Sequence, residues 1–511
     1  VLFNSLEFIL GFLPITLIGF FLLGRIGQTP AIAWLFGASL VFYGWWDWHY
    51  VLLLLGSITF HFMVGLQLMR MQGAARKWLL ITAIAIDLSA LVYFKYADMF
   101  IGTWNNLSGE HVALLRVVLP LGISFFTFTQ IAFLVDVYEN KVKEVNPLHF
   151  GLFVTYFPHL IAGPVLHHKE MMPQFAKAGI FRPRYVWLGL GLAVFCVGLA
   201  KKVLLADNLA PYANTVFNGR FDGGLLDAWI GVLAYTFQLY FDFSGYSDMA
   251  VGLSMMIGVR LPINFFSPYK ARNISEFWRR WHMTLSRFLR DYLYIRLGGN
   301  RKGKVRRYMN LIATMFLGGL WHGAGWNFAI WGLLHGAYLC VHEGFRATLG
   351  KWLPDNRAMH VLYVGLTFLA AVWAWVPFRA DGFQNTLSIW SAMLGGRGVA
   401  LPEVFFSSFP SLEPMLESIG VRRMVGGGSV FVLGLAWIVC AALVAFLTPN
   451  TYQLFRRFSP ALVEKAIHEQ IRQSRNRAIR FSTGWAVVLG VVLAVSMLFV
   501  SRPSEFLYFQ F

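Results

Sequence analysis

Long apolar stretches, most of them nearly free of charge, follow one another along almost the whole of this chain. A helix needs about 20 such residues to cross the hydrocarbon of a bilayer. Inside lipid no water satisfies backbone N–H and C=O groups, so only helices and closed barrels can span it. These stretches are apolar all round rather than alternating, which is the helical pattern. In chain order the candidate spans are 6–26, 31–46, 50–69, 78–96, 114–138 with Pro120 as a kink, 185–205, 227–243, 308–320, 328–341, 361–376 closed by Pro377, 430–447 and 483–500. The totals agree: 57 % of the residues are hydrophobic and 13 % charged, with mean hydropathy +0.57, whereas a soluble domain carries about 25 % charged residues. The expectation is an all-α polytopic membrane protein with about 11–12 transmembrane helices. The first span lacks a small-residue cleavage site and is read as retained.

Three stretches break the pattern. Residues 157–164 hold Pro158 and Pro164 inside an apolar octet, which suits a re-entrant or broken segment. Residues 270–307 carry a net +10 and space their apolar residues helically, reading as amphipathic helices at the bilayer surface. Residues 379–429 form the longest polar loop, with balanced charge suited to the outer face. Segment 450–480 adds a net +5, so two segments hold fifteen of the eighteen net positive charges. Positive-inside topology accounts for that bias, and no nucleic-acid partner is expected. Cys196, Cys340 and Cys440 lie apart in apolar runs, so neither a disulfide framework nor a metal site is indicated.

At the centre of the chain stands Leu317-Gly318-Gly319-Leu320-Trp321-His322-Gly323-Ala324-Gly325-Trp326-Asn327-Phe328. An ionisable side chain at membrane depth is costly and is a functional hypothesis by default. The plainer reading is a packing histidine that glues helices together. His282, in Phe277-Trp278-Arg279-Arg280-Trp281-His282, also sits beside a tryptophan and basic backbone. The pair could act as base and helper, since low dielectric favours the neutral imidazole a general base requires. His335, thirteen residues after His322, would not share its face on one straight helix and is read as packing. Asp242 and Asp248 are six apart across a Gly-Tyr pair, and capping or arginine pairing is their plain reading. The tail Phe506-Leu507-Tyr508-Phe509-Gln510-Phe511 is aromatic where chain ends are usually polar, and an interfacial anchor is its plain reading.

Residues 242–252, 277–286, 298–301 and 321–328, in that order, resemble the membrane-bound O-acyltransferase family, nearest its branch of alginate O-acetyltransferases and bacterial polysaccharide acetylases. The resemblance runs from the first span, through Tyr93-Phe94-Lys95-Tyr96, to about residue 380. It implies a funnel-like helical body with a tunnel, a catalytic histidine at His322 and a second histidine at His282. Asp242, Tyr246, Asp248 and Asn327 fall inside the matching motifs and are carried as substrate-binding candidates. The implied donor is an acyl-CoA, most simply acetyl-CoA, with no resident cofactor. Its phosphates would meet Arg279, Arg280, Arg287 and Arg290, whose guanidinium forks suit phosphate oxygens. The tail resembles the aromatic end of a small partner in the D-alanylation machinery, which would make Tyr508 an acyl acceptor.

The implied organisation is an acyltransferase core over 1–380, an extracytoplasmic loop over 381–429, and C-terminal helices over 430–511 whose basic segment is cytoplasmic and whose tail lies outside. The implied setting is the bacterial inner membrane, with a multi-pass chain, a periplasmic C-terminus, and as partners a periplasmic SGNH-hydrolase-type acetyltransferase and polysaccharide machinery. The product would be an O-acetylated exopolysaccharide such as alginate or cellulose. The alternatives are acyl or D-alanyl transfer to a cell-wall polymer or lipid, and, from another class, a transporter or channel built on the broken segments. Transporters usually show two similar halves, and no half-repeat is visible.

Overall fold

The computed structural model describes every residue except Val1, 143–145, Arg220, Asp222, 350–353, Asp355, 425–427, 475–477, Phe481, 502–506 and 508–511. Helices make up nearly all of the regular structure, as expected for a polytopic membrane protein, and the described sheet is one parallel pair, Ala400–Pro402 with Arg422–Met424. Among the described residues five helical stretches are long and apolar enough to cross a bilayer: Glu7–Ile26, His49–Arg70, Gly73–Ser108, Tyr185–Phe217 and Arg357–Arg379. Ile123–Tyr138, Phe431–Leu447 and Thr483–Phe499 are shorter apolar helices. The chain groups into two compact units that do not follow chain order.

The first unit comprises residues 1–199, 245–264 and 451–502. Helix His49–Arg70 is tied to its neighbours by polar bonds that apolar surroundings strengthen. His61 Nε2 meets Asp87 Oδ2 at 2.8 Å, and the Ser57 hydroxyl donates to Gln130 at 2.8 Å. The span expected over 114–138 is corrected here, because its helix begins only at Ile123. Proline disfavours helix at the residue before it, and Gly122 takes a left-handed φ of 71°. The stretch ahead of Pro120 lies along helix Ala97–Ser108 instead, where Asp98 accepts from the amides of Leu115 and Arg116.

The second unit comprises residues 200–244, 265–450 and 503–511. Its core collects Tyr235, Phe237, Phe277, Trp281, Trp331, Trp375 and Phe378, together with Leu507 from the tail. The closest helix pair is Gly303–His322 with Trp326–Thr348. Glycine sets that closeness, since a Cβ on Gly332 would strike the Met315 carbonyl and one on Gly319 the Phe328 carbonyl. Neither carbonyl can yield without unwinding its helix, so Gly332→Leu is expected to cost about 1–3 kcal/mol or more, as overpacking does. Thermal unfolding in detergent measures this. Gly365→Ala serves as the contrast, because nothing lies within 4 Å of the added Cβ, and it should leave the midpoint unchanged or raise it.

Three further expectations are corrected in this unit. Pro377 does not close its helix, which runs on to Arg379. A proline leaves the carbonyl four residues earlier without its usual donor; here the Trp390 indole N–H supplies it, reaching the Trp373 oxygen at 3.2 Å. The stretch 379–429 is not one loop, because it holds helix Gly382–Met393 and the parallel strand pair, and Arg423 pairs there with Glu403 at 2.9 Å. Finally, 270–307 is helical in pieces rather than throughout: Ile274–Trp278, then Met283–Phe288 running on as Leu289–Tyr294, then the start of Gly303–His322, with His282 in the turn after the first.

Candidate active site

His322 is the last residue of helix Gly303–His322, where Gly323 turns the chain to extended backbone. Gly323 is required for space rather than conformation, since a Cβ there would run into the Phe328 ring. The imidazole is walled by aromatic rings. Trp331 and Phe378 both present edges to it with centroids at 5.1 Å, and Trp321 lies at 4.9 Å. Edge-to-face pairs of this kind are each worth about 0.5–1.5 kcal/mol beyond area burial, so the ring is well fixed. His322 keeps 8 % of its surface open while His282 and His335 keep none.

His282 comes from a separate turn and reaches the same place. Its ring centroid lies 6.4 Å from that of His322, close enough for both to address one small reacting group. Phe243 meets it edge-on at 4.8 Å. Its backbone is left-handed, with φ 41° and ψ 53°, a conformation uncommon outside glycine and typical of functional positions. His282 lies outside every candidate span, and burial pushes its imidazole down to about 3. It is therefore neutral at working pH and able to orient or donate rather than carry charge.

The break after His322 changes the standing of His335. The intervening segment is not one straight helix, and His335 packs at 4.8 Å against Trp331, the ring that also touches His322. Its Nδ1 accepts the Trp278 indole N–H at 3.3 Å, fixing the tautomer. Sequence reasoning also passed over Lys202 as the end of a span. It is buried, with its ammonium 2.6 Å from Asp242 and 2.7 Å from Asp207. The missed signal was a lysine at the eighteenth position of the apolar helical stretch Tyr185–Phe217, which needs a carboxylate partner.

The remaining candidates fall in different places. Asp242 pairs with Lys202 rather than with an arginine, and its other oxygen accepts the Leu507 amide at 3.2 Å. Asn327 donates to the Ala380 carbonyl at 2.6 Å, tying the start of one helix of the pocket to the end of another. Arg280 is bound by Glu276 at 2.6 Å and Arg290 by Asp291 at 2.8 Å, while Arg279 is exposed and Arg287 half-buried. Tyr246 and Asp248 belong to the first unit. There Tyr246 stacks on Phe3 at 4.6 Å, and Asp248 accepts the Thr451 hydroxyl at 2.6 Å. Tyr508 lies outside the described residues.

Two histidines 6.4 Å apart among aromatic rings, one 8 % exposed and one fully buried, suit proton transfer to or from a group shielded from water. The profile of the membrane-bound O-acyltransferase family matches residues 42–373, and the chain belongs to that family. It is 39 % identical to a peptidoglycan O-acetyltransferase of Helicobacter pylori, over all of this chain and 98 % of the relative. It is 41 % identical to a probable alginate O-acetylase of Pseudomonas aeruginosa, over 77 % of this chain and 75 % of the relative. A teichoic acid D-alanyltransferase of Bacillus subtilis is 28 % identical over 52 % of this chain and 70 % of its own length. The protein is thus a multi-pass membrane acyltransferase, and this replaces the transporter or channel reading.

Proposed function

We propose that the protein takes an acyl group, acetyl in the simplest case, from cytosolic acyl-CoA and delivers it across the inner membrane for O-acetylation of an extracytoplasmic polysaccharide. The observation that carries this is the partly open His322 beside the sealed, neutral His282. In the first step His322 accepts the proton of a hydroxyl. The freed oxygen attacks the thioester carbonyl, so that a C–O bond forms and the C–S bond breaks. The proton then passes from His322 to the departing thiolate of CoA. General base help of this kind contributes about 10²–10⁴ in rate. His282 steadies the oxyanion or holds His322 in place. The donor's phosphates are assigned to the arginine-rich stretch that includes Arg279, Arg280, Arg287 and Arg290.

The hydroxyl is assigned to Tyr508, with a periplasmic SGNH-hydrolase-type acetyltransferase completing transfer to the polymer beyond a periplasmic C-terminus. A phenol has a pKa of about 10 and is a weak nucleophile without an adjacent base, and His322 supplies that base. Tyr508→Phe tests the relay. After incubation with labelled acetyl-CoA, intact-mass analysis should find label on the wild-type tail and none on the variant, with polymer acetylation lost. Full polymer acetylation by Tyr508→Phe would assign the hydroxyl to a partner instead. The relatives named for peptidoglycan and alginate make both polymers acceptor candidates. O-acetyl analysis of each in a deletion strain decides between them, and D-alanyl ester loss would identify the third class.

A further inference from the structure

We propose that the face of helix Leu225–Ile257 carrying Tyr235, Gln238 and Asp242 is the seat of the chain's own C-terminal tail, with Asp242 as its anchoring acceptor. The three residues are spaced i, i+3 and i+7, which sets them on one helical face. All three are buried, at 0 %, 2 % and 1 % exposure. Asp242 is fixed by Lys202, whose ammonium lies between it and Asp207. Two carboxylates against one ammonium leave a surplus of negative charge in an apolar setting, and such a charge calls for further donors. The Leu507 amide is one, donating to Asp242 Oδ2 at 3.2 Å. The Leu507 side chain, 2 % exposed, is packed into the core of the same unit, so this residue is seated in the interior rather than on a surface.

The other two groups on this face point the same way. Among the described residues the Tyr235 hydroxyl and the Gln238 amide oxygen have no hydrogen-bond partner, although both are buried. Buried polar groups are almost always satisfied, and an unsatisfied pair on the same helical face as the Leu507 acceptor is a place for more backbone to bind. A carbonyl oxygen and a hydroxyl are what a peptide's N–H and C=O groups require. The residue after Asp242 is Phe243, whose ring touches His282, so the anchor is one residue from the histidine pocket. Residue 508 directly follows Leu507 in the chain. Asp242 is thus a positioning residue acting through the tail, and its role in acyl transfer rests on the relay reading above.

Hydrogen–deuterium exchange of the tail peptide, in full-length protein in nanodiscs, tests the seat. Leu507→Pro removes the donor while leaving the Lys202–Asp242 pair intact, and Gln238→Leu removes an acceptor. Asp242→Asn removes the charged acceptor. Tail exchange should rise by about 10–100-fold in Leu507→Pro and Asp242→Asn, the loss expected for one hydrogen bond to a charged group. Gln238→Leu should raise it less. Wild-type exchange rates in both Leu507→Pro and Gln238→Leu would overturn the seat. In the same variants kcat for acyl transfer should fall with KM for acetyl-CoA unchanged, a split that general loosening of the pocket would not produce. Raised tail exchange with wild-type transfer would leave the seat standing and refute the relay.

Discussion

His322→Ala is expected to lower acyl transfer from labelled acetyl-CoA by about 10²–10⁴ or more, the contribution of a general base. The ring is the partly open member of the histidine group, and it stands at a helix end between Trp331 and Phe378. Alanine also leaves a void between two large rings. His322→Gln should therefore be measured alongside, because it fills the site without providing a base near neutral pH. If both variants fold, as judged by size exclusion and unfolding midpoint, and both lose turnover, the base role holds. A His322→Gln variant with near wild-type turnover would remove the histidine from the chemistry. Substitutions at His282 need different handling. Its left-handed backbone means that asparagine, which tolerates that conformation, is a cleaner probe than valine or alanine.

Lys202→Met is expected to have the largest effect on stability. It leaves Asp242 buried at 1 % exposure beside Asp207, with the ammonium gone. Breaking a buried ion pair from one side costs about 3–5 kcal/mol, because the remaining charge stays uncompensated. Reversible unfolding in mixed micelles should show a loss of that order. Adding Asp242→Asn to Lys202→Met removes the stranded charge and should restore most of the loss. If the double variant is as unstable as the single one, lysine packing rather than charge pairing is what the site requires.

The fold class was plain from the sequence because membrane crossing leaves so few options for the backbone. The ends of spans were not, and the misses have local causes. Pro120 and Gly122 removed about two and a half turns from the front of one helix. Pro377 failed to end another because the Trp390 indole takes over the carbonyl it strands. That rescue comes from a residue thirteen positions later and has no signature in the local pattern. The histidine pair was legible because each carries a tryptophan neighbour and a motif around it. Their meeting at 6.4 Å was not, because it depends on a turn with an unusual backbone and on the break after His322. The same break brought His335 against Trp331. The arginine-rich stretch read as surface helices because its apolar spacing is helical, and it is helical over Ile274–Trp278 and again from Met283 to Tyr294, but the turn at His282 that divides it has no signature in that spacing. Lys202 and Asp242 each looked ordinary alone, since only folding reveals a buried partner.

The wall of tryptophan and phenylalanine around His322 bears on how a cell can tolerate such an enzyme. A thioester is an activated compound, and a base poised beside one will deprotonate whatever hydroxyl comes near, water included. With Trp321, Trp331 and Phe378 filling the space about the imidazole, solvent has little room to compete. On the acyl-CoA reading proposed above, idle turnover should then be slow when no acceptor is seated, so the activated donor is not drained by hydrolysis.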